Sequence, residues 1–273
     1  MKNVESLFVA ITGATSGIGE ATAYQLAASG KNLFLMGRRK KNLQLIQKKC
    51  EKLGSTHVFI LDFDLQSIST PKIQKTIKDY LKKNKIEVNV LVNSAGLAKG
   101  TELLQDAKPS DWDQMIDTNV KGLLQITQLF LPSIIRHSGH IVNLGSVAGR
   151  LVYEGGAVYC ATKFAVRAIS EGLRMDLKGT GVRVTNIEPG MVNTEFSLVR
   201  LGTKEKADAV YADMAPLSAK DIAESICWSL SQPKHVNVQE LVIYPTDQAS
   251  VGQVVRGEKS VLNKNKNKIL KNK

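Results

Sequence analysis

The residues best suited to chemistry stand in the run Tyr159-Cys160-Ala161-Thr162-Lys163. The run sits in a helical pattern. Residues four apart share one helix face, so the phenol and the ammonium are placed to meet at one site. Hydride transfer to a carbonyl leaves an oxyanion that must be protonated. A tyrosine hydroxyl, with a reference pKa of about 10, exchanges its proton poorly at neutral pH, and a nearby ammonium favours the phenolate. Such a pair also occurs by chance on helix surfaces, so it needs company. Ser146, in Leu144-Gly145-Ser146, follows a strand-like run and offers a hydroxyl to a substrate oxygen as charge develops. Asn119, in Thr118-Asn119-Val120-Lys121-Gly122, lies inside a helical pattern. Asparagine competes with the helix backbone there, which suggests a bend that relays a water toward Lys163.

A second constellation is suited to phosphate. The chain reads Thr12-Gly13-Ala14-Thr15-Ser16-Gly17-Ile18-Gly19 between an apolar run and a helical pattern. Glycines there permit a tight turn and let backbone approach a pyrophosphate, and the helix N-terminus adds free N–H groups and a positive dipole end. The next strand would carry a carboxylate if it held a ribose 2′-hydroxyl. Instead no Asp or Glu occurs between Glu20 and Glu51, and the strand runs into Gly37-Arg38-Arg39-Lys40. A small residue backed by arginine forks suits a 2′-phosphate, and so NADP rather than NAD.

Both constellations require a sheet edge to hold them. Short apolar runs at residues 7–12, 32–36, 57–61, 88–93, 140–144, 182–187 and 240–243 alternate with helical patterns at 19–29, 41–53, 71–83, 112–136, 157–178 and 219–231. Most of the runs are continuously apolar, the signature of strands covered on both faces. The expectation is an α/β fold: a single-domain, Rossmann-type, doubly wound parallel seven-stranded sheet with helices on both faces.

Composition bounds the alternatives. The chain has 273 residues, 43% hydrophobic and 23% charged, which is ordinary for one large globular domain. Three scattered cysteines and four scattered histidines give no metal-ligand spacing and suggest a reduced, cytoplasmic setting. The apolar run at residues 7–12 is too short for a secretory or membrane-spanning segment. Net charge is +12, of which six lysines lie between Lys259 and Lys273 with no acid. Residues 1–257 are therefore read as the domain and 258–273 as a disordered Lys/Asn-rich tail. The tail has no aromatic residue on which bases could stack, which argues against nucleic acid.

With these residues assembled, the chain resembles the short-chain dehydrogenase/reductase family over residues 7–250, from the Gly-rich turn through Asp62, Asn93-Ser94-Ala95-Gly96, Asn119, Ser146, Tyr159, Lys163 and Pro189-Gly190 to Thr194. Ser94 departs from the usual asparagine. The resemblance implies a catalytic tetrad of Asn119, Ser146, Tyr159 and Lys163, with Tyr159 as acid/base and Lys163 also on the nicotinamide ribose. It implies cofactor contacts from Gly13, Thr15, Ser16, Gly17, Ile18, Gly19, Arg38 and Arg39. Asp62 and Phe63 would meet the adenine; Asn93, Ala95 and Gly96 the ribose and pyrophosphate. Ile187, Pro189, Gly190, Val192 and Thr194 would flank the nicotinamide.

The stretches WDQMIDTNVKG, GTGVRVTNIEPG, TEFSLVR and PTDQAS are similar to the NADP-dependent 3-hydroxy acid dehydrogenases, which oxidise serine and allo-threonine. That likeness implies small 3-hydroxy acid substrates and a homotetramer. Arg200, in a variable stretch after Thr194, is the candidate anchor for a substrate carboxylate. The competing readings are a broad-specificity carbonyl or 3-oxoacyl reductase with the same machinery, and a non-catalytic NADP sensor.

Overall fold

The computed structural model describes residues 7–261. Seven strands form one parallel sheet: β1 (Leu7–Thr12), β2 (Asn32–Gly37), β3 (Val58–Asp62), β4 (Glu87–Asn93), β5 (His140–Leu144), β6 (Arg183–Pro189) and β9 (Glu240–Ile243). Their spatial order is β3-β2-β1-β4-β5-β6-β9. The winding reverses between β1 and β4, and a crevice opens at the carboxyl ends of the strands on either side of such a switch point.

Alternate residues along each strand feed two cores. Val9, Ile11, Leu33 and Leu35 pack with Leu26 of α1 (Gly17–Ala28), Leu43 of α2 (Lys40–Leu53) and Ile222 of α9 (Ala219–Ser231). Phe8, Ala10, Phe34 and Leu91 face the other side, against Ile77 of α3 (Pro71–Asn84) and Ile126 and Phe130 of α5 (Leu123–Arg136), with Leu173 of α6 (Ala157–Asp176) alongside. Two buried faces explain why the strands read as continuous apolar runs.

Two expectations need correction. The pattern at residues 112–136 is not one helix: α4 (Pro109–Ile116) and α5 are joined by a π-helical segment, Asp117–Gly122. An extra residue per turn bulges the backbone. The bulge carries Asn119, and Gly122 lies so close to Leu65 that a Cβ would stand 2.7 Å from its side chain.

The stretch after β6 is also more ordered than the pattern indicated. Strands β7 (Val192–Asn193) and β8 (Leu217–Ser218) pair in parallel and bracket α7 (Glu195–Leu201) and α8 (Lys204–Val210). Thr194 and Thr203 cap these helices, accepting from the backbone N–H of Phe196 and Lys206.

The described residues continue to 261, past the expected boundary at 257. Ser260 is buried and donates to Asp247 at 2.6 Å, and the Val261 N–H donates to the same carboxylate at 2.9 Å. The rest of the expected tail lies outside the described residues. Among the described residues no helix is long and apolar enough to cross a membrane, and no cluster of His, Cys, Asp or Glu could hold a metal.

Candidate active site

A cavity of about 660 Å³ occupies the crevice at the carboxyl ends of β1, β2, β4, β5 and β6. Ser146, Tyr159, Lys163 and Arg200 all line it. Ser146 follows β5 as the cap of a 3-10 turn, Val147–Gly149; its Oγ accepts from the Ala148 N–H at 3.1 Å. Two glycines set this turn. A Cβ on Gly145 would stand 2.6 Å from the Asn186 side chain, and one on Gly149 would stand 2.7 Å from the Lys163 carbonyl. The serine turn therefore rests directly on the backbone of α6. Arg150, just beyond it, pairs with the fully buried Glu188 and with Glu240, which fastens the turn to β6 and β9.

Tyr159 and Lys163 lie one turn apart near the start of α6, both largely buried. Burial raises the Tyr159 pKa above its ordinary value, while a hydrogen bond with the Ser146 side chain and the Arg200 charge pull it down. Lys163 is not on the phenol. Its Nζ donates to the Leu144 carbonyl at 2.8 Å and stands 5.9 Å from the Tyr159 ring centroid. Desolvation by burial is the largest influence on the phenol, and Ser146 and Arg200 are the groups that favour phenolate, where the sequence pointed to the ammonium. Burial also lowers the Lys163 pKa to about 8.

Asn119 is held differently from the other three. Its Oδ1 accepts from the Leu97 N–H at 2.9 Å, and its Nδ2 donates to the Leu97 carbonyl at 2.8 Å and Thr162 Oγ1 at 3.1 Å. The side chain clamps the loop after β4 onto α6, behind the cavity wall rather than in it.

The nucleotide side fits a phosphate-rich group closely. Gly13 has φ +65°, and a Cβ there would stand 2.8 Å from the Ala95 backbone. A Cβ on Gly37 would stand 2.7 Å from Thr15 Cγ2, so the end of β2 needs a residue without a side chain. Ser16 precedes α1 without capping it through its side chain, which leaves first-turn N–H groups for a ligand.

The two arginines expected at the 2′-phosphate differ. Arg39 donates to Thr15 Oγ1 and to the Thr15 carbonyl, and pairs with Glu195 at 2.8 Å. Arg38 has only a 3.7 Å contact with Asp64 and is mostly exposed. Thr15, Ser16, Gly17, Ile18, Phe63, Ala95, Gly96, Pro189, Gly190, Val192 and Thr194 line the cavity, whereas Gly19, Asp62, Asn93 and Ile187 do not. Gly19 packs under the turn, where a Cβ would stand 2.5 Å from the Gly13 carbonyl. Asp62 pairs with Lys40 at 3.7 Å. Asn93 turns into the core, its Nδ2 donating to Thr127 and Asn143 at 2.9 Å each.

Sequence reasoning missed Tyr153, Phe196 and Gln248, which also line the cavity. Phe196 packs on Tyr159 with ring centroids 5.7 Å apart. Gln248 accepts from the Met191 N–H at 2.8 Å. Tyr153 accepts a hydrogen bond from Arg200. The paired glycines after Tyr153 were the available signal for a special turn.

The chain is similar to several known proteins. Residues 7–201 match the family model described as short chain dehydrogenase. The chain is 44% identical to sulfoacetaldehyde reductase 2 of Chromohalobacter salexigens over 88% of this chain and 95% of that protein. It is 43% identical to serine 3-dehydrogenase of Agrobacterium fabrum over 91% and 98%. It is 40% identical to an NADP-dependent 3-hydroxy acid dehydrogenase of Escherichia coli over 90% and 98%. Among solved structures it is similar to the closed form of serine dehydrogenase complexed with NADP+, with a TM-score of 0.83 and 39% identity over 92% of this chain and 99% of that one.

Proposed function

This chain belongs to the short chain dehydrogenase family, and on that premise we propose that it interconverts a hydroxyl and a carbonyl on small substrates bearing an anionic head, 3-hydroxy acids such as serine or allo-threonine foremost. It is an NADP-dependent oxidoreductase acting on hydroxyl groups. The observation that carries the substrate reading is the convergence of Ser146, Tyr159 and Arg200 in one cavity beside the phosphate cradle.

The turn at Gly13, Ser16 and Gly17 and the Arg38 side chain would hold NADP, which when bound would supply or accept the hydride. The chain's own residues handle the proton and the charge. Tyr159 gives its hydroxyl proton to the substrate oxygen in reduction and takes it back in oxidation. Ser146 donates to the same oxygen as charge builds on it. Lys163, charged below about pH 8, holds the ribose and keeps a positive charge near the phenol. Asn119 keeps α6 registered against the loop after β4 and positions a relay toward Lys163. Arg38 takes the 2′-phosphate.

Arg200 is the anion anchor. Its Nε donates to the Gly100 carbonyl at 3.0 Å and its Nη1 to Tyr153 at 2.9 Å, while among the described residues Nη2 makes no hydrogen bond. An arginine fork matches a carboxylate or a sulfonate equally well, which accommodates relatives named for serine and for sulfoacetaldehyde. A panel of 3-hydroxy acids, sulfonated aldehydes and uncharged dicarbonyls, run with NADP and with NAD, tests the reading. Arg200→Met is expected to raise KM for the anionic substrates far more than for the dicarbonyls. Equal effects would remove the anion anchor and leave a general carbonyl reductase.

A further inference from the structure

Arg200 does not reach its position alone. Its guanidinium carbon lies 5.4 Å from the Tyr153 ring centroid and 5.7 Å from that of Tyr159, and its Nη1 donates to the Tyr153 hydroxyl. Tyr153 is in turn set by the glycines that follow it. Gly155 has φ +69°, and a Cβ there would stand 2.2 Å from the Thr101 carbonyl. A Cβ on Gly156 would stand 2.5 Å from the Tyr153 ring. Only a turn without side chains leaves room for this ring beside Gly156 and for the Thr101 carbonyl beside Gly155.

A second cavity of about 250 Å³ lies behind that ring. It is walled by Leu103, Leu104, Ala107, Trp112, Met115 and Val158, with charged residues among its lining. Tyr153, Glu154 and Tyr159 line both cavities. Glu154 is exposed and Tyr159 already carries the proton role, which leaves Tyr153, half-buried, as the shared residue without an assigned task.

We propose that Tyr153 is a specificity-determining residue: its hydroxyl fixes Arg200 beside Tyr159, and its ring closes the partly apolar side cavity against substrates with longer alkyl chains. The inference rests on the anion-anchor reading for its first half. The second half depends only on the two cavities. An alkyl chain extending from the reacting carbon would meet the ring, and with the ring removed it would enter a space already lined by leucine, alanine and tryptophan.

The test compares Tyr153→Phe, which keeps the wall and removes the hydroxyl, with Tyr153→Ala and the better-packed Tyr153→Leu, which remove the wall. NADPH titration confirms that each variant retains its fold. Two substrate series of increasing chain length are read, 3-hydroxy acids and uncharged 2,3-diketones. Tyr153→Phe is expected to raise KM for short acids about tenfold, with kcat and the diketone KM near wild type, because a hydrogen bond to a charged group is lost. Tyr153→Ala or Tyr153→Leu is expected to raise kcat/KM for long over short diketones by about tenfold or more, the discrimination typical of a methylene or two in an apolar pocket. A wild-type KM for short acids in Tyr153→Phe would overturn the role of the hydroxyl. A wild-type chain-length ratio for diketones in both wall variants would overturn the partition. If no acid is turned over at all but the diketone ratio rises, the anion reading and the hydroxyl's role fall together while the partition stands.

Discussion

On the nucleotide side of the cavity, Gly13, Gly19 and Gly37 bring backbone within a Cβ's width of neighbouring atoms, and the turn presents main-chain N–H groups. On the substrate side the contacts come from long side chains: Tyr153 reaches in from one segment, and Phe196 and Arg200 from a helix more than forty residues further on. A site made of backbone is fixed by shape and tolerates almost no substitution. A site made of side chains can change its substrate while the scaffold stays the same. Proton chemistry sits at the seam, where Tyr159 touches Phe196 and Lys163 holds the end of β5.

The largest expected effect falls on that seam. Tyr159→Phe keeps the ring that packs on Phe196 and deletes the proton. It should bind NADPH as wild type does, by fluorescence titration, and lose about 10²- to 10⁴-fold in kcat. A comparable loss of NADPH affinity would show that the two sides are not separable at this residue. Next comes Gly13→Ala, which combines a left-handed φ with a 2.8 Å clash against backbone. Strain of roughly 1–3 kcal/mol is expected to weaken NADPH binding by about tenfold or more. The relative preference among substrates, measured at saturating NADPH, should not change. A shift in that preference would break the division between the two sides.

Lys163 gives a pH test of the seam. Burial lowers its pKa to about 8, so the free enzyme carries the ammonium below that pH and loses it above. NADPH affinity should be full at pH 7 and fall by several-fold between pH 8 and 10 as the ribose loses a charged donor. Arginine does not deprotonate in this range, so Lys163→Arg, where it binds NADPH, should show a flat profile.

How much of this was legible follows the same division. The seven strands and the Gly-rich turn could be read because a doubly covered strand must be continuously apolar and a phosphate cradle must lack side chains. Both demands are local in the chain. Ser146, Tyr159 and Lys163 could be read because strand ends and helix spacing predict where they point. Tyr153 and Phe196 could not, because nothing local says that residue 153 meets residue 200. Asn119 was legible as a helix irregularity but not as a clamp, since its partners Leu97 and Thr162 lie 22 and 43 residues away. Helices α7 and α8 left a signal in Thr194-Glu195 and Thr203-Lys204-Glu205, capping threonines followed by first-turn acids, which short apolar periodicity did not reinforce.

The smallest expected effect concerns the ion pair between the two sides. Arg39 is bonded to Thr15 in the phosphate turn and to Glu195, the first residue of the helix that carries Phe196 and Arg200. At the same place Gly17 comes within 3.4 Å, measured from an added Cβ, of the Thr194 side chain. The covering helix is thus attached at one end to the nucleotide side by an ion pair and at the other to the Gly100 carbonyl and Tyr153. Both members of the pair are about half exposed, so the coupling is modest and screened by salt. Glu195→Gln should raise KM for the anionic substrate roughly two- to fivefold by loosening the helix. It should also strengthen NADP binding slightly, because the Arg39 charge beside the phosphate turn is then no longer neutralised by Glu195. If Glu195→Gln moved only the NADP constant, the helix would be held by its capping and by Arg200 alone, and the two sides of the cavity would act independently.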